Sequence, residues 1–139
     1  MKLKFTAACA AAALAAACAL ALVPVAAPVA AMTPAGEQAM NKAGQVMFEH
    51  RCRSCHADDP AKKSYGPSLI GVFGRKAGSV EGFAYSDAMK ASGIVWDEEA
   101  LRKWIADNTE VMPGTRMKHM SITDRNEQDF ILSYLKGLK

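Results

Sequence analysis

The sequence has little excess charge, few cysteines, no internal repeat and no run of alternating apolar and polar residues. Its 17 basic residues nearly balance its 14 acidic ones, and with Lys2 and Lys4 set aside the remainder is +1. Charge so balanced and so scattered excludes a surface that tracks phosphates, and with it a nucleic-acid binder. Only one long hydrophobic run is present, at the amino terminus, which excludes a polytopic membrane protein. The missing alternation argues against strands. At 139 residues the chain is too short for a multidomain enzyme and suits one domain. In a domain this small, burial of apolar surface only modestly exceeds the entropy cost of folding, so a bound prosthetic group can add much of the core.

The amino terminus reads as an address. Lys2 and Lys4 form a positive region, Phe5 to Val23 an apolar stretch, and Pro24 and Pro28 break any helix before the small-residue site Val29-Ala30-Ala31. Residues 1–31 are therefore expected to be a cleaved signal peptide and residues 32–139 the folded domain, with export to the periplasm. An uncleaved, membrane-anchored form is the alternative, because the apolar stretch approaches the roughly 20 residues that span a bilayer. The run Leu14-Ala15-Ala16-Ala17-Cys18 resembles a lipoprotein site only loosely, since the apolar stretch continues past Cys18. Cys9 and Cys18 leave with the signal, and the domain keeps Cys52 and Cys55.

Within the domain the spacing predicts about four short helices. Thr33-Pro34 opens the first, a capping hydroxyl before a proline whose missing N–H costs nothing there, with Glu37 favoured by the helix dipole. Met40, Ala43, Met47 and Phe48 then recur at helical spacing up to the cysteines. Residues 57–82, with five glycines and two prolines, read as loop. A short helix follows near Tyr85–Met89, ended by Gly93. Asp97-Glu98-Glu99 opens another, with Leu101, Trp104 and Ile105 on one face. Met112-Pro113-Gly114 is a turn. The last helix starts at Thr123-Asp124 and presents Phe130, Ile131, Tyr134, Leu135 and Leu138 inward. The expected class is all-α with long loops, and loops this long in a small domain carry function.

The chemistry lies in Cys52-Arg53-Ser54-Cys55-His56. Two residues between the thiols let both sulfurs reach the vinyl-bearing edges of one porphyrin, and the adjacent imidazole can then bind iron from one face. The alternatives need features the chain lacks. Tetrahedral zinc wants four ligands, and the domain has no third cysteine and only His50 and His119 besides. A thioredoxin-like pair belongs at a strand-to-helix junction. A disulfide across two residues would be strained and would leave His56 without a role. Covalent haem c, one per chain, is the reading adopted.

A second axial ligand is sought among the methionines. Met40 and Met47 fit the buried face of the first helix, where a flexible thioether fills gaps. Met117 follows the turn-entered loop Pro113-Gly114-Thr115-Arg116, which can hold a sulfur over the second face of a flat ring. Met112, Met120 and His119 compete with it.

These residues together resemble a class I c-type cytochrome, of the kind formed by mitochondrial cytochrome c and its small soluble bacterial relatives. The resemblance covers nearly all of 36–139. Gly44 and Phe48 stand before the cysteines as the family's helix-crossing glycine and aromatic do, and Tyr65-Gly66-Pro67-Ser68-Leu69 resembles the segment whose proline carbonyl orients the axial imidazole. Gly71 to Gly78 and Gly82 to Ala88 follow the next two blocks, Gly93-Ile94-Val95-Trp96 supplies a tryptophan, and Pro113 to Met117 is the methionine loop. The resemblance implies the class I cytochrome c fold, helices and long loops wrapped around one haem. It implies His56 and Met117 on iron, Cys52 and Cys55 on the porphyrin, and Pro67 orienting His56. Arg75, Tyr85 and Trp96 would meet the propionates, Thr115 would help fix the methionine loop, and Gly44 would let the first and last helices cross closely.

Four positions depart from the mitochondrial pattern. Trp104 replaces a tyrosine whose hydroxyl bonds the methionine sulfur, and offers an indole N–H or only apolar bulk in its place. Met89 replaces an asparagine, and Thr109 and Glu110 replace two lysines of a partner-docking rim.

Six ligands leave iron no open position for a substrate, so the implied function is one-electron transfer by a monomer. The resemblance implies shuttling between a quinol-oxidising complex and a terminal oxidase or reaction centre, with a periplasmic dehydrogenase as a further candidate partner. A peroxidase-like haem enzyme with a labile sixth ligand is the alternative. Arg51, Arg53, Lys62, Lys63, Arg75, Lys76, Arg116 and Lys118 flank the expected haem edge and are candidates for an electropositive docking face, against the plainer reading of solvated surface.

Overall fold

A computed structural model of the chain describes residues 31–57, 59 and 61–139. The expected signal segment, except for Ala31, lies outside the described residues. The described part is helical: α1 (Pro34–Arg51), α2 (Asp87–Ala91), α3 (Glu98–Ala106), α4 (Asn108–Val111) and α5 (Arg125–Gly137). The nearest approach to a strand among the described residues is an isolated antiparallel bridge between Lys76 and Val95. None of the described helices is long and apolar enough to cross a membrane.

The caps form as their residues dictate. Thr33 Oγ1 accepts the Gly36 N–H at 3.2 Å, with Pro34 in the first turn and Glu37 behind it. Ser86, Asp97 and Asp124 cap α2, α3 and α5 in the same way. Each such cap satisfies an amide that the helix itself leaves unpaired. The described residues hold five helices rather than about four. The addition, α4, has four residues, too few to show a period, and it is nucleated by Asp107, whose carboxylate accepts from the Thr109 and Glu110 amides at 2.9 and 3.0 Å.

Helix α1 crosses α5 at Gly44. A Cβ there would run into the Phe130 carbonyl and come within 2.8 Å of the Tyr134 Cβ, so only glycine permits the approach. One turn on, the Phe48 and Tyr134 rings pack at 5.1 Å. Phe48 is fully buried, a contribution of about 1.5–3 kcal/mol. The inward stripe of α5 is shifted from the expected one: Ile131, Leu132 and Leu135 are buried, while Phe130, Tyr134 and Leu138 are half-buried. Leu132 enters the core because α3 as well as α1 packs on α5. Leu101, Trp104 and Ile105 are the buried face of α3, as their spacing predicts.

The glycine-rich segment 61–86 is a loop whose backbone is tied to the residue that ends α5 and to the segment between α2 and α3. Gly71 N–H bonds the Leu138 carbonyl at 2.8 Å, Gly74 N–H the Trp96 carbonyl at 2.9 Å, and Ala77 N–H the Ile94 carbonyl at 2.8 Å. Arg75 turns inward and donates to the Ile70 and Ser68 carbonyls, both at 2.8 Å, so its guanidinium acts here as a staple for its own loop.

Candidate functional site

The cysteine motif continues the last turn of α1. The Cys52 N–H bonds the Phe48 carbonyl, and the Cys55 and His56 amides bond the Cys52 carbonyl at 3.0 and 2.9 Å. Cys52, Cys55 and His56 consequently line one cavity of about 670 Å³, together with Tyr85, Thr115 and Met117. Phe83, Met89, Ile105 and Ile122 give it apolar walls. A volume in the range of roughly 300–1,000 Å³ with mainly apolar walls and a few converging polar groups is that of a cofactor site.

His56 is 5% exposed. Its Nδ1 lies 2.8 Å from the Pro67 carbonyl oxygen, which can only accept, so Nδ1 carries the proton and Nε2 keeps a lone pair. Burial is the larger cause holding the imidazole below its usual protonation range, opposed by the Pro67 bond and reinforced by His119. The neutral form that results is the one that ligates metals. Gly66 lies flat against the ring: a Cβ there would fall 2.5 Å from Cε1 and 2.7 Å from Nδ1. Burial also pushes the Cys52 thiol up to about 11.

A second part of the cavity lining is built from the loop after α4. Met117 receives a hydrogen bond on its sulfur from Trp104 Nε1 at 3.2 Å, so the indole does present its N–H. Thr115 Oγ1 accepts the Met117 N–H at 3.3 Å, and Asn108 Nδ2 donates to the Met117 carbonyl at 2.8 Å. The competitors are placed differently. Met112 is 4% exposed and packed in the core, and Met120 is 76% exposed at the cavity rim. Both ring nitrogens of His119 face carbonyls, those of Met120 at 2.8 Å and Trp104 at 3.2 Å.

Of the residues singled out from sequence, Cys52, Cys55, His56, Tyr85, Thr115 and Met117 line the cavity, whereas Pro67 and Trp104 act one step back through His56 and Met117. Trp96 packs edge-on against Trp104 at 5.1 Å. Burial raises the Tyr85 phenol above its usual range, despite the opposing Val80 backbone bond and Arg75 charge. Sequence reasoning assigned no role to Gly66 or Asn108. The signal for Gly66 was its place in the quoted Tyr65–Leu69 segment; Asn108, directly after a capping aspartate, gave none.

The expected basic face is smaller than its sequence suggests. Arg51 pairs with Glu127 at 2.8 Å, Arg53 with Glu49 at 3.3 Å, and Arg75 points inward. Lys62, Lys63, Lys76, Arg116 and Lys118 are exposed.

The residues present fit a covalently held haem: two thiols, one imidazole with a free Nε2 and one thioether converge on an apolar cavity of sufficient size. Comparison with known proteins agrees. The sequence model of the family described as cytochrome c matches residues 41–139. The chain is 42% identical over 108 residues to cytochrome c2 of Blastochloris viridis, covering 77% of this chain and 84% of that protein. It is 45% identical over 98 residues to cytochrome c2 of Rhodoblastus acidophilus, covering 70% of this chain and 91% of that one. Among solved structures, cytochrome cH from Methylobacterium extorquens superposes with a TM-score of 0.64 at 42% identity, over 70% of this chain and 97% of that one. Fold, site and relatives thus converge, and this chain belongs to the cytochrome c family, a carrier of electrons on covalently bound haem c rather than an enzyme.

Proposed function

We propose that the protein is an exported one-electron carrier whose haem iron is ligated by His56 and Met117, with Cys52 and Cys55 forming the thioethers. Residues 1–31 act as the signal peptide and 32–139 as the working domain in the periplasm. The carrier passes electrons from a quinol-oxidising complex to a terminal oxidase or reaction centre. When bound, haem supplies the one-electron couple. The chain's own residues tune and enclose it. Pro67 and Gly66 hold the His56 ring in one tautomer and one plane. Trp104 draws electron density from the Met117 sulfur, and the apolar walls disfavour the additional charge of the ferric state.

The observation that carries this reading is that one cavity is lined both by a buried imidazole, its Nε2 uncommitted, and by a thioether held at backbone and sulfur. Tyr65, 86% exposed, and Met120 form an apolar rim to the same cavity, and Lys62, Lys63, Arg116 and Lys118 are exposed residues of the adjoining segments. An acidic face on the redox partner suits that combination.

Met117→Ala tests the ligation. The reduction potential should fall, the weak sulfur-to-iron absorption of the ferric protein should vanish, and peroxidase-like activity should emerge. An unchanged potential with an unchanged ferric spectrum removes Met117 from the role.

A further inference from the structure

Three residues grip Met117, and they differ in kind. Thr115 belongs to the same loop and moves with it. Trp104, from α3, touches the flexible end of the side chain. Asn108 alone reaches the Met117 backbone from a separate element, and its bond, at 2.8 Å, is the shortest of the three. Its side chain is 3% exposed and it is the first residue of α4, whose start is pinned by Asp107. The loop between α4 and Met117 contains Gly114 at φ +86° and has little regular structure to stiffen it.

We propose that Asn108 is the positioning residue for the sixth ligand, an inference that rests on the reading of Met117 as that ligand. The sulfur sits at the end of a flexible chain, so where it reaches depends on where the Met117 backbone is held. Asn108 fixes the Met117 carbonyl to the same α3–α4 elbow that carries Trp104, and backbone and sulfur are thereby referenced to one rigid body. The amide is ordered in advance by its burial and by its place in α4, so little further conformational freedom is lost when the contact forms. A sulfur–iron bond is weak, and its persistence against competing ligands depends on such restraint. Removing the amide frees the loop to swing at Gly114 and lowers the effective concentration of the thioether at its position.

Imidazole binding by the ferric holoprotein measures that restraint, because imidazole must displace the sixth ligand. Asn108→Leu keeps the bulk and removes the donor, and Asn108→Ala, which adds no volume, gives the same comparison if the leucine variant does not assemble. Either should bind imidazole about tenfold more tightly than wild type, about 1.4 kcal/mol in the competing equilibrium. Asn108→Gln, which keeps an amide donor, should recover part of the difference. Asn41→Ala, which removes the distant side-chain bond to the Ser133 carbonyl, is the control for general loosening and should leave imidazole affinity unchanged. The proposal is overturned if the Asn108 variants bind imidazole as wild type does, or if Asn41→Ala tightens binding equally. Met117→Ala separates the underlying reading: should it bind imidazole no more tightly than wild type and retain the sulfur-to-iron absorption, the ligand assignment itself has failed.

Discussion

The two sides of the cavity are built by different means. The histidine side is compact in sequence: Cys52, Cys55, His56, Gly66 and Pro67 fall within one short stretch, begun by a helix turn and closed by the Gly66 N–H on the Cys55 carbonyl at 2.6 Å. The methionine side is assembled across elements, with α3 and α4 supplying Trp104 and Asn108 to a loop that has few internal restraints. Local construction resists loosening, because its parts are adjacent before the domain folds. Assembly across elements depends on the tertiary structure holding those elements together, so the methionine side belongs to the low-stability end of the molecule.

The sharpest test of this contrast removes the covalent hold on the histidine side altogether. Cys52→Ala with Cys55→Ala should give a chain without covalent haem and without most of its folded structure. A domain of this size has about 5–15 kcal/mol of stability in total, and the loops on both sides lose the surface they pack on. A haem-stained denaturing gel and far-UV circular dichroism report both losses. Stain retained by the double variant would refute the attachment.

Glycine substitutions compare the two sides at smaller scale. Gly66→Ala drives a methyl into the His56 ring and should destabilise the domain by roughly 1–3 kcal/mol, since ring and backbone have no room to part. Gly114→Ala meets nothing closer than the Ala88 Cβ at 3.6 Å, but it forces alanine to φ +86°, a cost of about 1–2 kcal/mol. Its effect should be local. In a denaturant titration the sulfur-to-iron absorption of Gly114→Ala should disappear well before the helicity, whereas in Gly66→Ala both should shift together. Coincident loss in Gly114→Ala would mean that the methionine side is no weaker than the rest.

The same contrast explains what was legible in the sequence. The cysteine–histidine motif could be read because its chemistry is written at fixed short spacing, and the helices because capping residues and apolar periods are local signals. Gly44 and the Pro67 contact were legible only through family resemblance, since nothing local says what a glycine will cross or which carbonyl a ring will meet. Asn108 and α4 were not legible. A four-residue helix has no period, and a buried asparagine looks like any turn residue until its partner, nine positions on, is brought beside it. The docking face was overdrawn for a related reason. Sequence counts Arg51, Arg53 and Arg75 as cations, but Glu127 and Glu49 neutralise the first two and the third is committed to carbonyls.

The smallest effect sharpens the comparison most finely, because it touches the methionine sulfur and leaves the backbone restraint in place. Trp104→Phe retains an aromatic ring beside Trp96 but removes the N–H that points at Met117 Sδ. A sulfur that accepts no hydrogen bond keeps its electron density for iron, which favours the ferric state, so the reduction potential should fall. One neutral hydrogen bond contributes about 0.5–1.5 kcal/mol, and only the part that differs between the two oxidation states is read out. The shift should therefore stay below about 59 mV, the equivalent of one tenfold change for a single electron. The Asn108 and Thr115 contacts should still hold the loop, so the sulfur-to-iron absorption should persist, weakened by the smaller ring. A potential that rises, or an absorption that vanishes, would show that Trp104 acts chiefly as packing for the loop and that its hydrogen bond does not set the electron density of the sulfur.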